Sequence, residues 1–451
     1  MKRLSCLASL LFCLLSAAVP LAGAQVQPAD DSPVQHPAWS RSANIYEVNL
    51  RQYTREGTLL AFADQLPRLK KMGVDIIWLM PIHPIGKLKR KGELGSYYAV
   101  QDYTAVSPEY GTLDDLRHLV RLAHGMGMHV ILDWVGNHTA WDNPWTVQHP
   151  DWYKKDAHGQ IYPVTFKNEA GGTEQWADVV GLDYAQAGLW QGMTAAMAYW
   201  VREADIDGFR CDAAGLVPTP FWDQARTELN KIKPVFMLAE WDDPALHEHA
   251  FDMTYGWDLL TVFKDIGKGK AGAAALRQYV LKPPKLYPRD AYRMLFTNNH
   301  DVNSWDGTDA ELYGPAYKAL AVLTFTLPGM PLIYGGQEAG LHKRLEFFQK
   351  DTIEWKKLEQ EGFYSDLIKL KKTHPALWNG QFGGDTALLD AGNAQVFAFQ
   401  RQRDADVVRV VANLSGQPQA YSLPGEATPA PLAPWAWRII TAQEPAARPL
   451  P

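Results

Sequence analysis

Three carboxylates, Asp212, Glu240 and Asp301, stand where short apolar runs end: IDGFRCD (206–212), VFMLAE (235–240) and MLFTNNHD (294–301). Runs of this length, rich in apolar, β-branched and aromatic residues, have the pattern of buried strands. A charge at the rim of a core is costly unless something pairs with it or uses it. Two acids flanking one bond, with no Ser/His pair or metal-type Cys/His cluster beside them, have the composition that glycoside hydrolysis needs. One must be ionised to attack the anomeric carbon, and the other must hold a proton for the leaving oxygen. Asp212 lies two residues after Arg210 on the same strand face, and a nearby cation favours the charged form, so it suits the attack. Glu240, preceded by Met237, Leu238 and Ala239 and followed by Trp241, has the more apolar surroundings and suits the proton donor.

Acids at the ends of successive strands need a parallel sheet to hold them together. NIYEVNL (44–50) precedes an amphipathic run at 58–72, VDIIWLM (74–80) one at 113–127, and HVILDWV (129–135) one at 187–204. The run ending at Asp212 precedes 219–232, and VFMLAE leads to FDMTYGW (251–257), the weakest strand, and then 258–281. RMLFTNN (293–299) with 315–326 and PLIYGG (331–336) with 361–373 complete eight strand–helix units. Eight is the number that closes a (β/α)8 barrel, an α/β fold whose working residues project from the C-terminal strand ends. The polar residues obey that rule. Asp133, Asn137 and His138 follow the third strand, Arg210 and Asp212 the fourth, Glu240 the fifth, and Asn299, His300 and Asp301 the seventh. Asp133 reads as a support for Arg210, and Gln337 and Glu338 as closing the last turn. The Trp-, Asp-, Gly- and Pro-rich connection at about 136–185 is too long for a plain loop and reads as a short excursion domain. The barrel then occupies 39–375, and alternating strands mark an antiparallel β-domain at 376–442, followed by a tail at 443–451.

Lys2 and Arg3, the apolar stretch from Leu4 to Leu21 and the small residues Ala22-Gly23-Ala24 have the order of a signal peptide at 1–24, ahead of a Pro-rich leader at 25–38. The expectation is an exported protein, periplasmic or secreted, with no membrane association after cleavage. Cys6 and Cys13 would leave with that segment, so Cys211 alone remains and reads as a buried structural thiol. The formal charge of −6 would become −8 without Lys2 and Arg3, which gives no reason to expect a nucleic-acid partner. The one basic run, Lys87, Lys89, Arg90 and Lys91, reads as a solvated loop. Some of the 17 Trp and 19 Tyr must fill the core, and a surplus near a polar cleft would suit stacking on sugar rings.

These segments together resemble the α-amylase family of retaining glycoside hydrolases. The resemblance rests on ILDWVGNHT (131–139), VGLDY (180–184), GFRCDAA (208–214), LAE (238–240), TNNHD (297–301) and GMPLIYGGQE (329–338), all in the family's order. It implies that Asp212 is the nucleophile, Glu240 the acid/base and Asp301 a third carboxylate that binds sugar hydroxyls and strains the ring. Arg210 would orient Asp212, His138 and His300 would bind hydroxyls of the sugar in the cleaved position, and Tyr98 would stack beneath it, with Asp102 supporting its loop. Retention would place the Asp212 and Glu240 carboxyls about 5–5.5 Å apart. A structural ion pair would explain Arg210 and Asp212 alone, and a satisfied core histidine either His138 or His300 alone, but not the whole set.

The implied activity is cleavage of α-1,4-glucosidic bonds in starch and maltodextrins. An exo-acting α-glucosidase or a transglycosylase would share these motifs, whereas a non-catalytic glycan-binding barrel would have lost one or more of the three carboxylates. No cofactor is required for such chemistry. In relatives, residues matching Asn137 and Asp183 help hold calcium, an ion that takes about 6–8 oxygen ligands, and Asp178 and Glu174 are further candidates. The stretch AAGLVPTPFW after Asp212 lacks the Lys-His pair of many starch-cleaving relatives, which points to a smaller or more permissive cleft.

Overall fold

The computed structural model describes residues 33–167, 171–281, 287–424 and 428–443. The expected signal peptide, most of the leader and nearly all of the tail lie outside the described residues. Along the chain, β1 (Ile45–Val48), β2 (Ile76–Leu79) and β3 (His129–Val135) come first. Next are β4 (His138–Ala140), β5 (Pro163–Lys167) and β6 (Thr173–Gly181), which form a small antiparallel sheet of their own. Then follow β7 (Gly208–Asp212), β8 (Phe236–Ala239), β9 (Met253–Tyr255), β10 (Tyr292–Leu295) and β11 (Met330–Tyr334). Strands β1, β2, β3 and β7 to β11 pair in parallel and close on themselves, so all eight expected strands take part in one barrel.

Strand parity sorts the side chains. Ile45, Trp78, Ile131 and Leu238 belong to one apolar cluster, and Tyr46, Ile77, Leu132 and Ala239 to the other, which packs beneath the helices. Glu47, Asp133, Arg210, Asp212 and Glu240 share the parity of the first set. Near the C-terminal ends of the strands, the inward faces therefore change from apolar to charged. Cys211 has the opposite parity and is buried and unpaired.

Local chemistry sets the helix limits. The helix Leu113–Gly125 opens with a reciprocal cap: the Thr112 hydroxyl accepts from the Asp115 N–H at 3.2 Å, and the Asp115 carboxylate from the Thr112 N–H at 2.8 Å. The run expected at 58–72 is two helices, Leu59–Ala63 and Leu66–Met72, because Pro67 has no N–H to continue the first. The run at 258–281 also divides, into Trp257–Gly267 and Ala273–Leu281 across a glycine-containing turn. Strand β10 is shorter than RMLFTNN. It stops at Leu295, and Asp301 comes six residues later, at the entry to a π-type turn over Val302–Asp306.

Beyond the barrel, β12 (Asp385–Leu388), β13 (Val396–Arg403) and β14 (Asp406–Asn413) precede the hairpin of β15 (Gln419–Tyr421) and β16 (Ala430–Leu432). The last strand, β17 (Trp437–Gln443), joins an antiparallel sheet ordered β12-β13-β14-β17. Its Phe397, Phe399, Val408 and Val410 belong to the apolar cluster that also holds Tyr292 and Met294 of the barrel.

Candidate active site

Arg210 stands at the centre of the charged rim. In register it lies opposite Asp133 of β3 and Leu238 of β8, and its side chain is fully buried. Its Nη1 donates to Asp133 Oδ1 at 2.9 Å and to Asp212 Oδ1 at 3.0 Å, and its Nε donates to the Tyr255 hydroxyl at 3.1 Å. Its Nη2 lies 2.8 Å from Glu240 Oε1, an electrostatic contact off the line of a proper hydrogen bond. The rings of Trp78 and Tyr255 pack over the guanidinium, and Trp78 Nε1 donates to Asp133 Oδ2 at 3.2 Å. Asp133 thus supports Arg210, as expected. The other Glu240 oxygen accepts from the Ala213 N–H at 2.7 Å, presented by a left-handed backbone at Ala213 (φ 43°).

Asp301 faces the same space. With Tyr98, His138, Asp212 and Glu240 it lines a cavity of about 330 Å³. His300 is held from both sides: Nδ1 meets Glu47, while Nε2 lies 3.2 Å from Asp301 Oδ2 and 2.7 Å from the Tyr98 hydroxyl. Tyr98 also donates to Asp133 Oδ2 at 3.1 Å, and its ring stacks with those of His300 and Phe347. Asp102 accepts from Thr104 N–H and hydroxyl and so braces the loop. Tyr97 is core, packed against Arg51 and Phe347. The Gln337 carboxamide spans Thr297 and Asp309, and Glu338 is buried on Tyr46 and Arg68, so both are structural.

The electrostatics separate the acids. Burial is the largest influence on Glu240 and outweighs Arg210, and with Asp212 and Asp301 nearby its carboxyl is pushed up to about 7. Burial also raises Asp212, to about 6, because Arg210 divides its charge among three carboxylates instead of serving Asp212 alone. That sharing is what the sequence reading missed. Both carboxyls are thus held above their ordinary values, mainly by burial. Both side chains still open to the cleft, 13 % and 18 % exposed, so a ligand that shed the remaining water would push both upward. Burial would raise Asp301 too, but the His300 imidazolium overcomes it and holds that carboxyl below its ordinary value. His300 itself is kept protonated, against burial, by Asp301 and Glu47. Burial lowers His138 to about 4, so near neutrality it meets a ligand as a neutral imidazole.

Several lining groups were not singled out from sequence. Glu47, buried behind His300 and not itself on the cavity, is the clearest supporting group: an acid at an inward position of a buried strand, IYEV, was a signal available to the same parity argument. Trp305, Phe347 and Phe348 come from loops after β10 and β11, and Lys91 and Asp178 face each other across the rim at 2.8 Å. The basic run is therefore not simply solvated. That ion pair also bears on calcium. Asp178 already has an ammonium partner, and Asp183 accepts from the Ala185 N–H and the Gln186 side chain within its own turn. The Asn137 amide lies against His138 Nδ1. Of the expected oxygen ligands, Asp178 is thus engaged by a lysine, and Asp183 and Asn137 by neighbours in their own segments.

Comparison with known proteins agrees with this arrangement. The family described as "alpha amylase, catalytic domain" matches residues 39–259. An α-amylase from Lactobacillus plantarum superposes with a TM-score of 0.79 at 30 % identity, covering 90 % of this chain and 99 % of that one. The α-amylase of Haloarcula japonica is 28 % identical over 87 % of this chain, which spans 58 % of that enzyme's length. A cyclomaltodextrinase from a Bacillus species is 26 % identical, with 84 % of this chain and 74 % of that enzyme aligned.

Proposed function

Because the chain belongs to the α-amylase family of glycoside hydrolases, we propose that it cleaves α-1,4-glucosidic bonds of maltodextrins and starch with retention. The observation that carries this reading is the grip of one guanidinium on both Asp212 and Glu240, with Asp301 on the same cavity. Two carboxyls clasped by one side chain suit the shorter of the two spacings used by glycosidases. In the first step Asp212 attacks the anomeric carbon while Glu240 passes its proton to the departing oxygen, forming a glycosyl-Asp212 ester. In the second, Glu240 takes a proton from water, the water attacks the same carbon, and Asp212 leaves. Asp301 and His300 hold ring hydroxyls, and the Asp301 carboxylate favours the positive charge that develops at the ring. Neutral His138 adds a further hydroxyl contact. Every proton and electron pair is accounted for by these side chains and water.

The signal-like segment at 1–24 supports the reading that this activity is exported, to the periplasm or the medium. The experiment is hydrolysis of maltoheptaose by the wild type and by Asp212→Ala, with the anomer of the first product followed by NMR. α-Anomeric products from the wild type and no turnover by a folded variant are expected. Wild-type rates in Asp212→Ala, or β-anomeric first products, would overturn the mechanism.

A further inference from the structure

The two ends of the cleft are built differently. On the Glu240 side, where the leaving sugar must lie, the rim is open: Trp241 is 37 % exposed, its ring resting against Gly215. On the His138 side a series of contacts crosses the rim. Its first anchor is the loop after β11, where the Leu94 N–H donates to the Phe348 carbonyl at 3.0 Å. Gly92 at φ +64° lies so close to Phe348 that no side chain fits between them. One residue earlier, Lys91 reaches across to Asp178 of β6 at 2.8 Å, and the Asp178 side chain is only 5 % exposed. The span is braced from behind. Lys89 sits 3.2 Å above the Trp141 ring, the Lys87 N–H donates to Asp142 at 2.9 Å, and Ile85, Ala99, Ala140 and Val179 share a small apolar core. Lys91 and Asp178 line the same cavity as Tyr98, His138 and Asp212.

The chemistry fixes which end of a glucan meets this barrier. The sugar attacked by Asp212 lies over Tyr98 and His138, and its aglycone departs past Glu240 toward Trp241. The far side of the attacked sugar points to the non-reducing end of the chain, the side that carries the Lys91–Asp178 pair. We propose that the Phe348–Lys91–Asp178 wall makes this enzyme exo-acting, admitting α-glucans by their non-reducing end and releasing one short unit per cleavage. The proposal rests on the reading that Asp212 and Glu240 cleave glucosidic bonds.

The test compares plain maltoheptaose, maltoheptaose carrying a 4,6-O-acetal on its non-reducing glucose, and β-cyclodextrin, with products resolved by chromatography. The wild type should cut plain maltoheptaose into one short product from the outset, with kcat/KM on the blocked and cyclic substrates lower by about 100-fold or more. Asp178→Ala, or Lys91→Ala with Asp178→Ala, removes the closure, and the ratio of blocked to plain turnover should rise by about 10-fold. The double variant leaves no unpaired buried charge, so it guards against misfolding of the single one, and circular dichroism checks both. Equal cleavage of blocked and plain substrate by the wild type, or a ratio unchanged in both folded variants, would overturn the wall's role while leaving glucan hydrolysis intact. No cleavage of plain maltoheptaose by the wild type would overturn the glucan reading and this proposal with it.

Discussion

Glu47→Gln offers a test of the electrostatic argument that leaves the reacting groups untouched. Glu47 lies on β1, buried behind His300, with one oxygen on His300 Nδ1 and the other without a hydrogen-bond partner. The amide is nearly the same size and still offers an oxygen to the imidazole, so the substitution removes charge with little change in packing. A hydrogen bond between charged groups contributes about 1.5–3 kcal/mol. If that stabilisation of the imidazolium reaches the transition state through Asp301, kcat/KM should fall by about 10- to 150-fold, at 1.4 kcal/mol per decade. Asp301 owes its low pKa to the His300 cation, so its negative charge should become less secure in the variant. The assay is the pH dependence of kcat/KM on maltoheptaose together with 15N NMR of the imidazole. His300 should lose its proton at lower pH in the variant than in the wild type, and activity should decline earlier on the alkaline side. An unchanged imidazole titration with unchanged kcat/KM would refute the reasoning, since Glu47 would then contribute nothing to the charge of His300.

Two further outcomes follow from the same electrostatics. Attack requires ionised Asp212, raised to about 6, and protonated Glu240, raised to about 7, so kcat/KM should form a narrow bell between mildly acid and neutral pH. Glu240→Gln should cost about 100- to 10,000-fold on maltoheptaose and much less on a substrate with a phenolic leaving group that needs no proton, and it should lose the alkaline limb; a limb that persists would mean another group supplies the proton. At the opposite end of the barrel, burial tends to raise Asp207, but bonds from His124 and His129 and the charge of Lys233 hold it well below the ordinary carboxylate range. A depressed folded pKa gives stability that is present above the unfolded value near ~3.9 and lost as pH falls through the folded one. Asp207→Asn should therefore lower stability to urea by about 1.5–3 kcal/mol at pH 7, with the gap closing below about pH 4; a gap constant with pH would assign the loss to packing.

The sequence shows most clearly what strand parity controls. Arg210, Asp212 and Glu240 follow inward positions of short apolar strands, so both their place at the rim and their convergence can be read from alternation. Asp301 is a harder case, because β10 ends at Leu295 and a π-type turn carries the acid on to the rim. No periodicity marks such a turn. Helices were misjudged only at their breaks, where Pro67 and the glycines near 267–272 interrupt otherwise continuous amphipathic patterns. The Lys91–Asp178 pair was not legible at all. Its partners lie on separate segments, one reading as part of a solvated basic run and the other as a calcium candidate, until the fold sets them 2.8 Å apart. The sharing of Arg210 among three acids is likewise a three-dimensional fact, since only the register of β3, β7 and β8 makes them neighbours.

The parity that fills the barrel mouth also leaves it electrically incomplete. Glu47, Asp133, Asp212, Glu240 and Asp301 surround Arg210 and His300, while Lys91 at the rim is matched by Asp178. Even with a proton on Glu240, the empty mouth is short of positive charge. A neutral sugar at rest does nothing to correct this. The same sugar part-way to an oxocarbenium ion does, because the charge it acquires is the one the surroundings lack. The site is thus a host whose missing guest is a cation that exists only while the bond is breaking. A stable mimic with a fixed positive charge near the anomeric position should bind far more tightly than the sugar it resembles.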